Sequence, residues 1–557
     1  MQDCYRKIQQ ITQWFLQPIS KRPLLFLLLL LLLCLPGWIY VGNYEDFPIV
    51  RLICWMLFIT GLPVLLAWGI CALKSKILRI IITSILIILF AVNCFLVLNF
   101  MTMVSPSILL LCIETNSTES SEFIANYLVT SASLLTYLLT LTAIITLWIA
   151  EKKQITILFH FPIISCLILL IGLSAGVFQL WMMGNMLTRK TQYDLELWLG
   201  EKGNYCIQNT ISSLLFASDH LYLNSYENNK AMRTCKEAYK QPASCTLKDD
   251  SLHLIIIIGE SFSKHHASLY GYKLNTTPLL EHEKKQGNLF VFSDAVSPYN
   301  MTTPAIKNML STNNLSKNQS WTDYPPFTII FKKAGYDVAM WDNQYHQENN
   351  NFYDFSLNSF LYNQEMMQLA YHSVNKSTYK YDMDLVDSTL QIQRDAPHQL
   401  TLFHLMGQHM DAKQRFPNTK EYNIFSSKDI QRPDLDDNEK QQVADYDNAT
   451  RYNDLVVGRI INHYRNNCAV IVYLSDHGEE VYDYRHRLGR SHEPVKSQQV
   501  LKYQYQIPMM IWCSDSYQQR YPEVVKGIKG MMNKPFSSDC LPQLVFLLGF
   551  IETPYSS

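Results

Sequence analysis

The stretch LIIIIGES, residues 254–261, decides the fold of the second half of this 557-residue chain. Five consecutive apolar residues, four of them β-branched, are typical of a strand that is buried on both faces of a parallel sheet. The polar residue Glu260 comes directly after this strand. Because ligands bind beyond the carboxyl ends of parallel strands, Glu260 is the first candidate for a functional residue.

Further apolar runs of the same kind follow, and stretches with helical spacing separate them. Strands are predicted at residues 337–341, 400–405, 469–474 and 507–511. Helices are predicted at residues 304–310, 328–334 and 444–464. Strands that alternate with helices indicate a doubly wound α/β domain with a mostly parallel central sheet.

Two other predicted strands also end in polar residues. His409 follows the strand at 400–405, and Asp476 and His477 follow the strand at 469–474. Three strands thus bring a glutamate, a histidine and an Asp-His pair to one edge of the sheet. Carboxylate oxygens and imidazole nitrogens suit a divalent ion such as zinc or manganese. The sequence therefore predicts a metal site here, although each residue taken alone could be an ordinary polar loop residue.

The stretch VSPYNMTTPA, residues 296–305, offers a reacting group. Pro304 suits the first position of a helix, and Thr303 would then be the N-cap. Thr302 would remain free in front of a helix N-terminus, where phosphate oxygens are favoured. Metal coordination can activate such a hydroxyl as a nucleophile. The alternative is a helix cap without chemistry.

The first third of the chain is a series of apolar runs, each long enough to cross a bilayer with about 20 residues. The five predicted spans are residues 23–41, 50–73, 77–100, 127–150 and 155–181. Lys and Arg lie before the first span and after the second and fourth, which places those loops in the cytoplasm. An odd number of spans then puts everything after about residue 182 on the other side.

This pattern predicts three parts of the chain. They are a transmembrane domain at residues 1–185, a connector with an interfacial helix at 186–250, and an extracytoplasmic catalytic domain at 251–557. The formal net charge of −1 gives no indication of a nucleic-acid partner, which would require a basic face. Cys235 and Cys245 flank a short polar stretch and are the best predicted disulfide pair on the oxidising side.

Several motifs together resemble the phosphoethanolamine transferases of the alkaline phosphatase and sulfatase superfamily. The similar stretches are residues 259–278, 302–311, 446–454, 475–479 and 508–512. The resemblance covers nearly the whole chain, including the five spans. It implies a five-helix transmembrane domain followed by an α/β alkaline-phosphatase-like domain.

The resemblance also implies roles for individual residues. Glu260, Thr302, Asp476 and His477 match the ligands of one tightly bound zinc, and Thr302 also matches the nucleophile. His409 matches a histidine near the phosphoethanolamine group or a second metal. A later histidine of that site is expected, with His492 as the first choice and His486 as the alternative. Zinc is the expected metal in preference to manganese, and the number of zinc ions, one or two, is not decided by the sequence.

The implied activity is transfer of phosphoethanolamine from phosphatidylethanolamine to lipopolysaccharide core or lipid A, through a phosphorylated threonine. The implied location is the bacterial inner membrane, with several spans and the catalytic domain in the periplasm. Enzymes that modify lipid A carry cysteines near the nucleophile, where this chain has Asn300 and Lys307. A lysine expected after Asn343 is also absent, and His346 and Gln347 stand in its neighbourhood. These departures leave the acceptor open.

Two alternatives to this function remain. The first is a phosphoglycerol transferase or another hydrolase of the superfamily at the membrane surface. A sulfatase would need a modifiable Cys or Ser followed by Pro and Arg, and the stretch Thr302 to Ala305 lacks that pattern. The second is a catalytically dead binding protein on the same scaffold.

Overall fold

The computed structural model divides the chain into two compact units, residues 1–225 and residues 226–557. Their boundary falls within the predicted connector. The residues that the structure describes are 2–42, 49–100, 102–106, 108–109, 128–153, 155–201, 206–247, 251–344, 363–409, 411–484, 488–490 and 498–556.

The first unit consists of helices. They are α1 (Gln2–Lys21), α2 (Pro23–Gly42), α3 (Ile49–Ile59), α4 (Gly61–Ala72), α5 (Lys76–Phe100), α6 (Ser131–Lys152), α7 (Pro162–Met186) and α8 (Gln192–Glu201). Within the described ranges, α2, the α3–α4 pair, α5, α6 and α7 form five segments that are long and apolar enough to cross a bilayer. The prediction of five apolar spans is therefore confirmed, with ends that shift by a few residues.

Two kinds of contact hold these helices together. A Cβ atom added to Gly176 on α7 would lie 2.5 Å from the carbonyl oxygen of Gly61 on α4. Glycines at such positions let helix backbones pack closely where no water is present to drive association. Arg79 on α5 and Glu151 on α6 form an ion pair of 2.7 Å with both side chains nearly buried.

The second unit is built around a β-sheet. Helix α9 (Thr210–Lys240) contains the boundary between the units. The other helices are α10 (Pro278–Gln286), α11 (Thr302–Leu310), α12 (Phe327–Lys333), α13 (Gln364–Ala370), α14 (Asp382–Thr389), α15 (Asp437–Tyr464), α16 (Gln498–Val500), α17 (Asp515–Arg520), α18 (Pro522–Met531) and α19 (Leu541–Leu548). The strands are β1 (Ser244–Cys245), β2 (Leu252–Gly259), β3 (Leu289–Val291), β4 (Ala295–Val296), β5 (Asp337–Asp342), β6 (Ser373–Val374), β7 (His398–His404), β8 (Ala469–Ser475), β9 (Met509–Cys513), β10 (Phe536–Ser537) and β11 (Ile551–Glu552).

Seven of these strands form the central sheet in the order β3-β9-β8-β2-β7-β5-β6. The pairs from β8 to β6 are parallel, whereas β9 runs antiparallel to both β8 and β3. Along β2 the side chains alternate between two apolar cores, with Ile256 on one face and Ile257 on the other. The structure thus confirms the α/β fold with a mostly parallel sheet and a central strand that is buried on both faces.

The start of α11 differs from the prediction. The helix begins at Thr302 and its N-cap is Met301, whose side chain makes no capping hydrogen bond. The predicted N-cap role of Thr303 is therefore wrong. Pro304 occupies the third helical position, which is permitted because the first N–H groups of a helix have no partner inside the helix.

The predicted disulfide is also wrong, because Cys235 and Cys245 are both free cysteines. Cys235 is completely buried in the apolar core on α9. The Sγ atom of Cys245 lies 4.0 Å from the hydroxyl of Tyr336 and 3.9 Å from the carbonyl oxygen of Gly549. The Cys235 thiol thus packs as a small apolar side chain, whereas the Cys245 thiol makes weak hydrogen bonds to two polar groups.

Candidate metal centre

The candidate site lies at the carboxyl ends of β2 and β8, two neighbouring strands in which Gly259 lies opposite Ser475. This register brings Glu260 next to Asp476, because each comes immediately after its strand. Ser261 has a left-handed backbone with a φ of 55°, which a serine rarely adopts. In this conformation its N–H donates to Asp476 Oδ1 at 3.1 Å and its hydroxyl donates to Glu260 Oε1 at 2.7 Å. Ser261 therefore orients both carboxylates.

Glu260, Asp476 and His477 are completely buried, and their ligand atoms lie within 4.8 Å of one another. His477 Nε2 lies 3.0 Å from Asp476 Oδ2 and 3.3 Å from Glu260 Oε1. Asp476 Oδ2 accepts no hydrogen bond within the described ranges. His477 Nδ1 lies 2.9 Å from the carbonyl oxygen of Gly478, which can only accept, so Nδ1 carries a proton, and Nε2 is the nitrogen that can bind a metal ion once its own proton is lost. These donor atoms suit a divalent cation.

Thr302, at the N-terminus of α11, extends towards the same cluster. Its Oγ1 lies 3.2 Å from Glu260 Oε2 and 3.3 Å from His477 Nε2. A helix N-terminus also favours phosphate oxygens, because its N–H groups and dipole point outward. The structure therefore brings a hydroxyl, three ligand groups and a phosphate-favouring helix end together.

The charges in the cluster favour a bound cation. Burial raises the pKa of Glu260, but His477, His409 and Arg490 outweigh burial and hold it well below its usual value. Burial and Arg490 lower the pKa of His477, but Asp476 and Glu260 raise it further, to about 9. Glu260 is therefore ionised at neutral pH, and the carboxylates attract positive charge to the position of His477 Nε2. A metal ion can supply that charge in place of the proton.

Two further residues contact the candidate ligands, and neither was predicted from the sequence. Gln344 Nε2 donates to Glu260 Oε2 at 3.1 Å and to the carbonyl oxygen of Leu405 at 2.7 Å. Arg490 Nη1 lies 2.5 Å from His477 Nε2. Gln344 closely follows β5, so the rule that selected Glu260 could have found it. No sequence signal marks Arg490, which lies in a loop.

The remaining predicted site residues are histidines. His409 follows β7 and is partly buried, and burial lowers the pKa of its imidazole. Within the part of the chain that the structure describes, the side chain of His409 makes no hydrogen bond to Glu260, Asp476 or His477. His492 and its alternative His486 lie outside the described residues.

Comparison with known proteins gives a family match and several relatives. Residues 253–550 match the family model described as Sulfatase. The chain is 27% identical over 432 residues to the phosphoethanolamine transferase EptC of Escherichia coli (strain K12), covering 75% of this chain and 71% of the relative. It is 25% identical over 337 residues to the Kdo(2)-lipid A phosphoethanolamine 7''-transferase of Escherichia coli (strain K12), covering 59% and 56% of the two chains.

One similar solved structure is the C-terminal periplasmic domain of EptC from Escherichia coli in complex with Zn. It has 25% sequence identity and a TM-score of 0.48, and the alignment covers 56% of this chain and 86% of that chain. The stretch that matches the family model includes Glu260, Thr302, Asp476 and His477.

Proposed function

Because this chain belongs to the sulfatase family, we propose that it is a membrane-bound phosphoethanolamine transferase. Its donor is phosphatidylethanolamine and its acceptor is an envelope glycolipid, lipopolysaccharide core or lipid A. The two relatives from Escherichia coli are phosphoethanolamine transferases, and one of them is named for lipid A. The observation that carries the proposal is the position of Thr302 Oγ1, within 3.4 Å of Glu260 and His477 at a helix N-terminus.

The reaction has two steps, both at Thr302. In the first, the Thr302 Oγ atom forms a bond to phosphorus, the bond from phosphorus to the glycerol oxygen breaks, and diacylglycerol leaves with the proton that the threonine hydroxyl loses. In the second, a hydroxyl or phosphate oxygen of the acceptor forms a bond to the same phosphorus, the bond from phosphorus to Thr302 Oγ breaks, and Thr302 regains a proton from the acceptor oxygen or from solvent. The N-terminus of α11 stabilises negative charge on the phosphoryl oxygens in both steps.

Glu260, Asp476 and His477 hold one zinc ion in this proposal, with Thr302 as the fourth ligand. When bound, the zinc ion supplies the positive charge that favours the threonine alkoxide. His409, together with His492 or His486, binds the phosphoethanolamine group or a second metal. Gln344 and Ser261 keep the carboxylate of Glu260 in position through the hydrogen bonds described above.

The test is the intact mass of the purified full-length protein after incubation with phosphatidylethanolamine. The wild type should gain one phosphoethanolamine, and peptide mapping should place the group on Thr302. Thr302→Ala should gain nothing and should not transfer. Thr303→Ala is the matched control and should keep measurable activity, because the contacts to Glu260 and His477 come from Thr302.

Three results would contradict the proposal. They are a modified Thr303, turnover by Thr302→Ala, and a mass gain from phosphatidylglycerol in preference to phosphatidylethanolamine. The last result would instead favour the phosphoglycerol transferase.

A further inference from the structure

Arg490 lies in a short segment that is fixed to the chain just after the metal ligands. Leu488 forms a β-bridge with Val481, and the N–H of Gly489 donates to the carbonyl oxygen of Glu480 at 2.9 Å. Gly489 has a φ of 103°, which favours glycine over other residues. This turn directs the following residue, Arg490, back towards the site.

Among the residues that the structure describes, three groups contact the guanidinium of Arg490, which is mostly buried with 19% of its side chain exposed. Nε lies 3.2 Å from Glu479 Oε2, and Nη1 donates to the carbonyl oxygen of Asn300 at 2.9 Å. These two groups are ordinary acceptors for an arginine. The third contact is different, because Nη1 also lies 2.5 Å from His477 Nε2, the atom that would bind the metal.

The contact with His477 and a bound cation exclude each other. Once Nε2 has lost its proton, its lone pair can point either to an N–H group of Arg490 or to a metal ion. When a cation takes Nε2, Nη1 loses this acceptor, while Glu479 and Asn300 still hold the guanidinium beside the site. Thr302 Oγ1 lies 3.3 Å from the same Nε2 atom, so the released donor is next to the hydroxyl that would attack phosphorus.

We propose that Arg490 binds the phosphoryl oxygens of the substrate, and that its contact with His477 holds it in place until the metal binds. This inference rests on the proposed function, because it takes the ligand to be a phosphate ester. The planar guanidinium presents paired N–H groups that match two phosphoryl oxygens, which a lysine ammonium cannot do.

A purely structural role, neutralising Glu479, agrees less well with the contacts. A guanidinium that only pairs with a carboxylate frequently binds both of its oxygens. Here a single Nε contact reaches Oε2, and Glu479 Oε1 has no hydrogen-bond partner in the described part of the chain. Nη1 of Arg490 lies instead against His477 and the carbonyl oxygen of Asn300.

The test measures ligand binding by the full-length protein in detergent, loaded with zinc. The probes are O-phosphoethanolamine and inorganic phosphate, and the readout is the dissociation constant from calorimetry. Arg490→Ala should weaken the binding of both probes by about tenfold or more, because a charge-assisted hydrogen bond to phosphate is lost. Arg490→Lys should restore part of the loss. Arg459→Ala should bind like wild type, since Arg459 pairs with Asp387 at an exposed position.

A second readout separates this role from support of the metal site. Zinc affinity, measured by competition with a chelator, should be unchanged or tighter in Arg490→Ala, because a competitor for His477 Nε2 and a neighbouring positive charge are removed. Weaker zinc binding in Arg490→Ala overturns the inference. So does wild-type affinity for the probes, or a loss confined to O-phosphoethanolamine, which would place Arg490 at the ethanolamine end.

Failure of the proposed function gives a different pattern. In that case the wild type binds both probes more tightly than Arg490→Ala does, but it transfers nothing from phosphatidylethanolamine. This result rejects the proposed function and leaves the role of Arg490 standing.

Discussion

At the scale of single residues, His266 fixes the loop that follows Glu260. Its Nδ1 atom lies 2.7 Å from Asp447 on α15, and Nε2 lies 3.6 Å from Asp483. Burial lowers the pKa of His266, but the two carboxylates raise it further, to about 10. The imidazole therefore carries a buried positive charge at neutral pH, and this charge joins α15 to the loop that follows Glu260, a candidate metal ligand.

We predict that this pair stabilises the protein in a pH-dependent way. Because the pKa of His266 is higher in the folded than in the unfolded chain, its stabilising effect is full below about pH 6.5 and disappears as the pH rises through about 10. At pH 6, His266→Gln should lower the free energy of unfolding by on the order of 3 kcal/mol, as expected for breaking a buried pair.

The measurement is thermal unfolding in detergent at several pH values between 6 and 10. The difference between His266→Gln and wild type should shrink towards pH 10. His282→Gln, at an exposed position on α10, is the control and should match wild type throughout. If the difference in stability between His266→Gln and wild type stays constant up to pH 10, the charge of His266 does not cause that difference.

At the scale of helices and strands, the strands that the sequence predicted correctly are those whose residues are apolar along their whole length. The strands β2, β5, β7 and β8 were found because a strand buried on both faces is apolar along its length. The antiparallel direction of β9 was not predicted, since direction depends on the path of the chain and not on the residues of the strand. The start of α11 was misplaced because proline fits any position of the first helical turn.

The same distinction applies to the candidate site. Glu260, Asp476 and His477 were selected because they come directly after buried strands. Arg490 could not be selected, since its position depends on a turn at Gly489 and on a contact with His477 across a loop. The approach of α4 to α7 was also not predicted, because glycine is common in apolar helices whether or not a neighbour lies close.

That approach leads to a prediction for the membrane unit. Gly176→Ala should lower the free energy of unfolding in detergent by about 1–3 kcal/mol. The reason is that the added methyl group would lie 2.5 Å from the carbonyl oxygen of Gly61 and overpack the contact. Gly184→Ala is the matched control, since Gly184 lies on the same helix with nothing within 4 Å of its added Cβ. Equal stability of the two variants would contradict a close contact between α4 and α7.

At the scale of the whole molecule, the charges of the loops predict the side on which each part lies. A reporter that is active only outside the cytoplasm should be active when fused after residue 557, and inactive when inserted after Lys153, between α6 and α7. The reason is that Lys152 and Lys153 mark a cytoplasmic loop under the positive-inside rule. A cytoplasmic C-terminus would contradict this topology and the proposed access of residues 226–557 to an envelope glycolipid.

The central position of β2 also has a consequence for biosynthesis. The strand leaves the ribosome early, whereas its partners β7 and β8 begin only at His398 and Ala469. Until then, an apolar strand with two unpaired edges is exposed, and such edges readily pair with other chains. A nascent chain that stalls before β8 is therefore a substrate for chaperones or proteases, and it also lacks two of the candidate metal ligands, since Asp476 and His477 are synthesised after β8.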